Sequence, residues 1–154
     1  MKANEAFTEE QKRILLADLC ARLPYGVKVF LEETDEVEEV FCLHLRQEAV
    51  YTQNLKSKSC TTLCPIEKIK PFLRPMSSMT KEEGVGLNRN LSELYYKLSW
   101  GTFANADYYA SNVNISPREI AFIQQFMDSH FLDWRGLIPM GLALEAKEGM
   151  YNIK

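Results

Sequence analysis

The side chains in this chain that could carry chemistry are few and scattered. His44 falls on the less apolar face of a predicted strand, and His130 ends a predicted helix, where a protonated imidazole suits the helix dipole. Asp133 and Arg135 flank Trp134 and could form an ion pair or face an anion; we favour a structural use, with Trp134 anchoring the C-terminal segment and Arg135 bonding carbonyls. We predict no catalytic residues, because neither histidine has a serine or cysteine nearby in a sequence pattern typical of a nucleophile.

The cysteines are the next candidates, as metal ligands or as a disulfide framework. Without an export signal, Cys20, Cys42, Cys60 and Cys64 are expected to be reduced and mostly buried. A zinc site needs four ligands at a recognisable spacing, and these thiols with the two histidines do not supply one. The sequence therefore predicts no metal site and no cofactor.

Composition and the N-terminus bear on the class of protein. The 154 residues are 46% apolar and 25% charged, which is typical of one globular domain. No apolar run approaches the roughly 20 residues that span a bilayer, and the first ten residues are acidic and lack a signal-peptide core. We expect a cytoplasmic protein without membrane association.

Charge is unevenly distributed along the chain. The basic belt, residues 56–81, holds six cations against one carboxylate (Lys56, Lys58, Lys68, Lys70, Arg74 and Lys81; Glu67), although the whole chain has a net charge of −3. The acidic cluster, residues 32–39, holds six carboxylates and is expected to form a solvated hairpin connection. The belt could therefore bind phosphates through Lys68, Lys70 and Arg74, or pair with the acidic cluster of the same molecule, which we favour.

The local patterns predict an α+β fold. A capping box at Thr8 starts an N-terminal helix. Short strands are expected at 27–31, 40–46, 49–52, 60–64 and 70–73, forming a small antiparallel meander that curls like a barrel. In the second of these strands, alternation places Phe41, Leu43 and Leu45 together on one face.

The second half of the chain is expected to be helical and to pack on the meander. Capping signals start helices at Thr80 and at Ser116-Pro117, the latter ending near His130. From that last helix Ile120, Ile123, Phe126 and Met127 should face inward. We predict a single domain over 1–154, with a possible seam at 74–80 between the β-rich and helical halves.

Three stretches in which apolar residues are mixed with prolines, glycines or single charges carry a family resemblance. They are LPYGVKV at 23–29, IKPFLRPMSSMT at 69–80 and RGLIPMGLALEA at 135–146. With them the chain resembles an uncharacterised family of short proteins from gut anaerobic bacteria, their prophages and mobile elements. Where relatives tend to read His-Phe-Asp-Tyr-Arg-Gly, residues 130–136 are one residue longer and carry Trp134. The resemblance implies a prophage or mobile-element accessory protein and implies no activity.

Three functions from different classes remain at this point. The favoured one is a non-enzymatic protein that binds a protein of the host or phage, with outward aromatic residues such as Tyr96 and Tyr109 at the contact. The first alternative is a nucleic-acid-binding small barrel that uses the basic belt. The second is an enzyme whose site is built from the scattered histidines and the Asp-Trp-Arg triplet. The sequence does not specify an oligomeric state.

Overall fold

The computed structural model describes residues 6–90 and 117–153, and its first element is a helix that is encoded locally. Helix α1 spans Glu9–Arg22. The hydroxyl of Thr8 accepts the N–H of Gln11 at 3.2 Å, and the Gln11 side chain accepts the N–H of Thr8 at 2.9 Å, so the predicted capping box is confirmed. A 3-10 turn, Leu23–Tyr25, follows, and Gly26 in the left-handed region at φ 75° leads into the sheet.

One sheet forms the centre of the described structure. Its strands are β1 (Lys28–Leu31), β2 (Glu36–His44), β3 (Ala49–Asn54), β4 (Cys60–Pro65), β5 (Ile69–Leu73) and β6 (Leu144–Glu145). Their order is β4-β3-β2-β1-β5-β6, and every pair is antiparallel except β5 with β6. The α+β class and the meander are confirmed. The barrel-like closure is not, because across the described residues β4 and β6 stand at opposite edges.

Two further helices lie in the described part of the second half of the chain. Helix α2 spans Lys81–Asn90 and has the predicted capping box, in which Thr80 and Glu83 exchange hydrogen bonds of 3.2 and 2.7 Å. Helix α3 spans Pro117–Ser129, which matches the predicted start and end. The predicted N-cap Ser116 lies outside the described residues.

The core has two parts. In the larger, Leu15 and Leu19 of α1 pack against buried residues of the sheet and of the C-terminal segment (Val27, Val29, Leu31, Val40, Val50, Ile66, Ile69, Leu73, Phe131, Leu137, Leu142 and Ala143). In the smaller, Met79, Leu87, Met127 and Leu132 pack together beneath α2 and α3. The apolar faces of the helices and of one side of the sheet are thereby removed from water, which is the main driving force for this arrangement.

The C-terminal segment is tied to the sheet by Tyr151. Its hydroxyl donates to the carbonyl of Phe72 at 2.8 Å and accepts the N–H of Lys28 at 3.0 Å, and its ring stacks on Phe131 at 3.6 Å. Burial raises the pKa of Tyr151 well above its ordinary value, so the phenol stays neutral and can donate. The last residues therefore link β1 to β5 and help to hold the C-terminal segment in place.

Two predictions about which residues face the solvent are wrong, one for residues 36–39 and one for α3. Residues 36–39 form strand rather than solvated connection, and Glu38 is only 1% exposed because it shares the inward face with Val40. Ile120, which was expected to face inward, is 44% exposed. The buried residues of α3 are Met127 and Asp128 at its C-terminal end, so its first turn does not reach the core.

The segment 74–80 is fixed to the C-terminal half by backbone hydrogen bonds. The N–H of Arg74 donates to the carbonyl of Phe131 at 2.7 Å, and the N–H of Asp133 donates to the carbonyl of Arg74 at 2.8 Å. A 3-10 turn, Met76–Ser78, then leads to α2. The single domain with a possible seam at this segment stays a prediction.

Candidate functional site

The structure places lysines of the basic belt beside the chain's own acidic cluster. The ammonium of Lys70 lies 4.0 Å from a carboxylate oxygen of Glu32, and that of Lys58 lies 3.8 Å from Glu39. Such pairs are weak, because Lys58 is 57% exposed and Lys70 is 30% exposed to solvent. The geometry is therefore that of the intramolecular alternative, with both lysines still partly open to water.

Arg74, the third predicted phosphate contact, is part of a structural clamp. Its guanidinium bonds both carboxylate oxygens of Glu83 at 2.7 and 2.9 Å, and it also reaches the carbonyls of Ser78 and His130. Burial raises the pKa of the Glu83 carboxyl, but the hydrogen bonds from Arg74 and Thr80 outweigh it, so this pKa lies below its ordinary value. Arg74 thus joins the end of β5 to the start of α2.

Lys68 lines a cavity of 320 Å³. The other lining residues are Leu31, Glu33, Thr34, Glu36, Glu38 and Cys64. The most buried of them is Glu38, whose carboxylate accepts a hydrogen bond from the hydroxyl of Thr52. Three carboxylates and one ammonium thus line this cavity.

The Asp-Trp-Arg triplet belongs to a buried network of charges. Arg22 of α1 is fully buried, and its Nε bonds both oxygens of Asp18 at 3.0 and 2.9 Å. The guanidinium of Arg135 lies on the other side, 2.9 Å from Asp18 and 2.7 Å from Asp128. Trp134 donates its indole N–H to Asp128 at 2.8 Å and stacks under Arg135 at 3.9 Å.

This network is a junction between α1, α3 and the C-terminal segment. Arg22 also donates to the carbonyl of Leu132 at 2.8 Å, while Asp133 accepts the N–H groups of Leu137 and Ile138 at 2.7 and 2.8 Å. The anchoring of the segment by Trp134 agrees with the structure. The carbonyl bonds expected of Arg135 are made instead by Arg22, which the sequence patterns did not single out. An Asp and an Arg four residues apart in one helix was the available signal.

The histidines and cysteines are not gathered into one site. His130 stacks on Phe126 at 3.9 Å and its Nδ1 lies 2.9 Å from the Phe126 carbonyl, while Nδ1 of His44 is buried and has no hydrogen-bond partner among the described residues. Cys20 and Cys42 are exposed, so the expected burial of most thiols is wrong for them. Across residues 6–90 and 117–153, no three His, Cys, Asp or Glu side chains are placed to hold a metal ion.

The predicted aromatic contacts Tyr96 and Tyr109 lie outside the described residues, but other large apolar side chains are exposed. On the sheet, Phe41 is 55%, Leu45 62% and Tyr51 36% exposed. All three belong to the hairpin formed by β2 and β3. We call this the outer hairpin surface.

A β-bulge creates this surface. Val40 pairs with Thr52 and Cys42 pairs with Tyr51, which leaves Phe41 as the extra residue of β2. Because Val40 and Thr52 are buried while Phe41, Cys42 and Tyr51 are exposed, the bulge turns two consecutive residues of β2 outward, opposite Tyr51. Leu45 begins the 3-10 turn Leu45–Gln47, where strand alternation has ended.

The predicted common face of Phe41, Leu43 and Leu45 is therefore wrong. Leu43, which pairs with Val50, packs against the core, whereas the other two side chains are exposed. Side chains of β2 alternate between the two faces of the sheet only as far as the bulge. No residue type in β2 predicts a bulge from sequence alone. An apolar run with more large residues than one face can bury was the only available hint.

Comparisons with known proteins add no assignment. No family model matches the chain, and neither the curated proteins nor the solved structures gave a match. Within the part of the chain that the structure describes, no helix combines the length and the apolar character needed to cross a membrane.

Proposed function

We propose that this protein is a non-enzymatic accessory protein of prophage or mobile-element type, which acts in the cytoplasm by binding a protein of the host or phage. The observation that carries the proposal is the outer hairpin surface, where the bulge in β2 turns Phe41 outward beside Tyr51. Bulges often re-aim a side chain for a function. The family resemblance of residues 23–29, 69–80 and 135–146 supports the accessory role.

The surface has the chemistry of a protein-binding site. Aromatic residues are enriched where proteins meet, because a large rigid ring loses little conformational entropy on binding. The exposed part of Phe41 corresponds to roughly 100 Å², and covering it would contribute about 2.5 kcal/mol. Tyr51 adds a ring with a hydroxyl that can bond at the rim of a contact.

The proposal is tested by affinity capture with variants of the surface. Tagged wild type, the double variant Phe41→Ser/Tyr51→Ser and the control Ile120→Ser are incubated with bacterial lysate, with and without nuclease. Ile120 is a matched control because it is an exposed apolar residue at 44%, but lies on α3. We expect a protein partner that wild type and the control retain after nuclease treatment and that the double variant loses.

Two results would contradict the proposal. Retention of the same partner by the folded double variant would remove the outer hairpin surface as the binding site. Partners that disappear after nuclease treatment would favour the nucleic-acid alternative. In that case Lys68→Ala and Lys70→Ala should each flatten the dependence of log affinity on log salt by about one unit.

A further inference from the structure

Strand β4 is an edge of the sheet. It pairs with β3 on one side, through the register Ala49 with Pro65, Val50 with Cys64 and Tyr51 with Leu63. Among the residues that the structure describes, no strand pairs with its other side. A free edge presents N–H and C=O groups that a further strand can bond.

The backbone direction at this edge can be worked out. The N–H of Ile66 donates to the carbonyl of Glu48 at 2.9 Å. Because bonded pairs alternate along an antiparallel ladder, the N–H and C=O of Cys64 face β3, and those of Leu63 face away from it. Pro65 faces away too, and as a proline it has no N–H to leave unpaired there. Leu63 therefore offers both a donor and an acceptor at this edge.

The two ends of β4 carry opposite charge. The turn that precedes the strand holds Lys56 and Lys58, both exposed. At the other end three carboxylates, those of Glu9, Glu48 and Glu67, contact the ammonium of Lys12 at 3.3, 3.5 and 2.8 Å. This cluster of three carboxylates around one ammonium has a negative excess.

We propose that two copies of this chain pair through their β4 strands, antiparallel and about a two-fold axis, to form a dimer with one continuous sheet. In the antiparallel arrangement the lysine end of each strand meets the carboxylate end of the other, whereas a parallel arrangement would bring like charges together. The opposite edge of the sheet is β6, Leu144–Glu145, which has only two residues. A strand so short offers little to pair with, so the assembly stops at two copies.

The dimer uses the edge of the sheet, whereas the proposed function uses its outer face, so each inference can fail without the other. The two surfaces are neighbours, because Tyr51 pairs with Leu63 across β3 and β4. The two-fold axis therefore brings both copies of the outer hairpin surface to the same side of one extended sheet. A partner with two equivalent apolar contacts would then gain avidity.

Sedimentation equilibrium tests the edge directly. The wild type is measured from about 1 µM to about 1 mM, the range of moderate to weak association. We expect a concentration-dependent mass that rises to twice that of one chain. Leu63→Pro removes an N–H that faces away from β3 and leaves the N–H groups that bond β3, and it should weaken the dimer at least about tenfold. Leu63→Ala is the control, because it truncates the side chain but keeps the N–H, and its dimer should remain.

The charges give a second, independent test. Lys56→Glu/Lys58→Glu makes both ends of β4 negative, and Glu48→Lys/Glu67→Lys makes both ends positive. Each variant alone should be monomeric over the same concentrations, and an equimolar mixture of the two should form a dimer. That recovery should weaken as salt is raised, because the charges are exposed.

Several results would overturn the dimer. One is a wild type that stays monomeric up to about 1 mM; another is a mass beyond two chains. An unchanged dimer in a Leu63→Pro variant that keeps the circular dichroism of wild type would also overturn it. If Leu63→Pro does not fold, the charge variants decide, and a mixture that stays monomeric refutes the pairing.

Discussion

Replacement of Arg22 by methionine should destabilise this protein strongly. Methionine is unbranched and a good helix former, so it keeps α1 and the packing of the aliphatic stem while removing the charge. Arg22 is fully buried, with bonds to both oxygens of Asp18 and to the carbonyl of Leu132 at 2.8 Å. The substitution leaves a buried carboxylate and a buried carbonyl short of their donors.

The loss in free energy of unfolding depends on the cation that remains in the network, Arg135. Removing one partner of a buried ion pair costs about 3–5 kcal/mol. Arg135 still contacts Asp18 at 2.9 Å and Asp128 at 2.7 Å, so both carboxylates keep one cation. We therefore expect the lower end, about 3 kcal/mol, which is still a large part of the 5–15 kcal/mol that stabilises a typical domain.

Urea unfolding followed by circular dichroism measures this loss. The Arg22→Met midpoint should fall with an unchanged slope, since the surface exposed on unfolding is the same. Lys70→Met is the control, because it also replaces a cation by methionine but breaks a half-exposed pair at 4.0 Å. It should change the free energy of unfolding by less than about 1 kcal/mol. A folded Arg22→Met as stable as Lys70→Met would refute the view that this network holds α1, α3 and the C-terminal segment together.

Two further predictions concern the capping box of α2 and the glycines. The pKa of Glu83 lies below its unfolded value of 4.5, because the hydrogen bonds that its carboxylate accepts from Arg74 outweigh the effect of burial. The ionised carboxylate therefore stabilises the fold in full above pH 4.5, and this contribution is lost as pH falls through the folded-state pKa. Wild-type stability, measured by urea unfolding across pH, should thus fall more steeply below pH 4.5 than that of Glu83→Gln; parallel curves would contradict this. Gly26→Ala should lower the free energy of unfolding by about 1–2 kcal/mol, since φ is 75° and the new Cβ would lie 3.3 Å from Glu39. At Gly86, inside α2, an added Cβ would meet no described atom within 4 Å, so Gly86→Ala should raise the free energy of unfolding by up to about 1 kcal/mol. The opposite ordering of the two variants in thermal unfolding would count against both assignments.

The local elements of this fold were predictable because their determinants lie within a few residues. The capping boxes at Thr8 and Thr80 each close between residues three apart, so the sequence shows donor and acceptor together. Proline at position 117 marked the start of α3 for the same reason. The meander β1 to β4 followed from short β-branched runs with brief connections, which leave neighbouring strands little choice but to pair.

Tertiary structure alone decided the rest, because those interactions join residues far apart in the chain. Arg135 reaches Asp18 across 117 positions, and no local pattern shows that α1 and the C-terminal segment meet. The burial of Glu38 and the exposure of Phe41 depend on where strand β2 starts and where its register shifts against β3. A one-residue shift reverses which face a side chain occupies. The sequence by itself therefore determined the class of fold. The register of β2 against β3 decided that Phe41 and Tyr51 face the solvent.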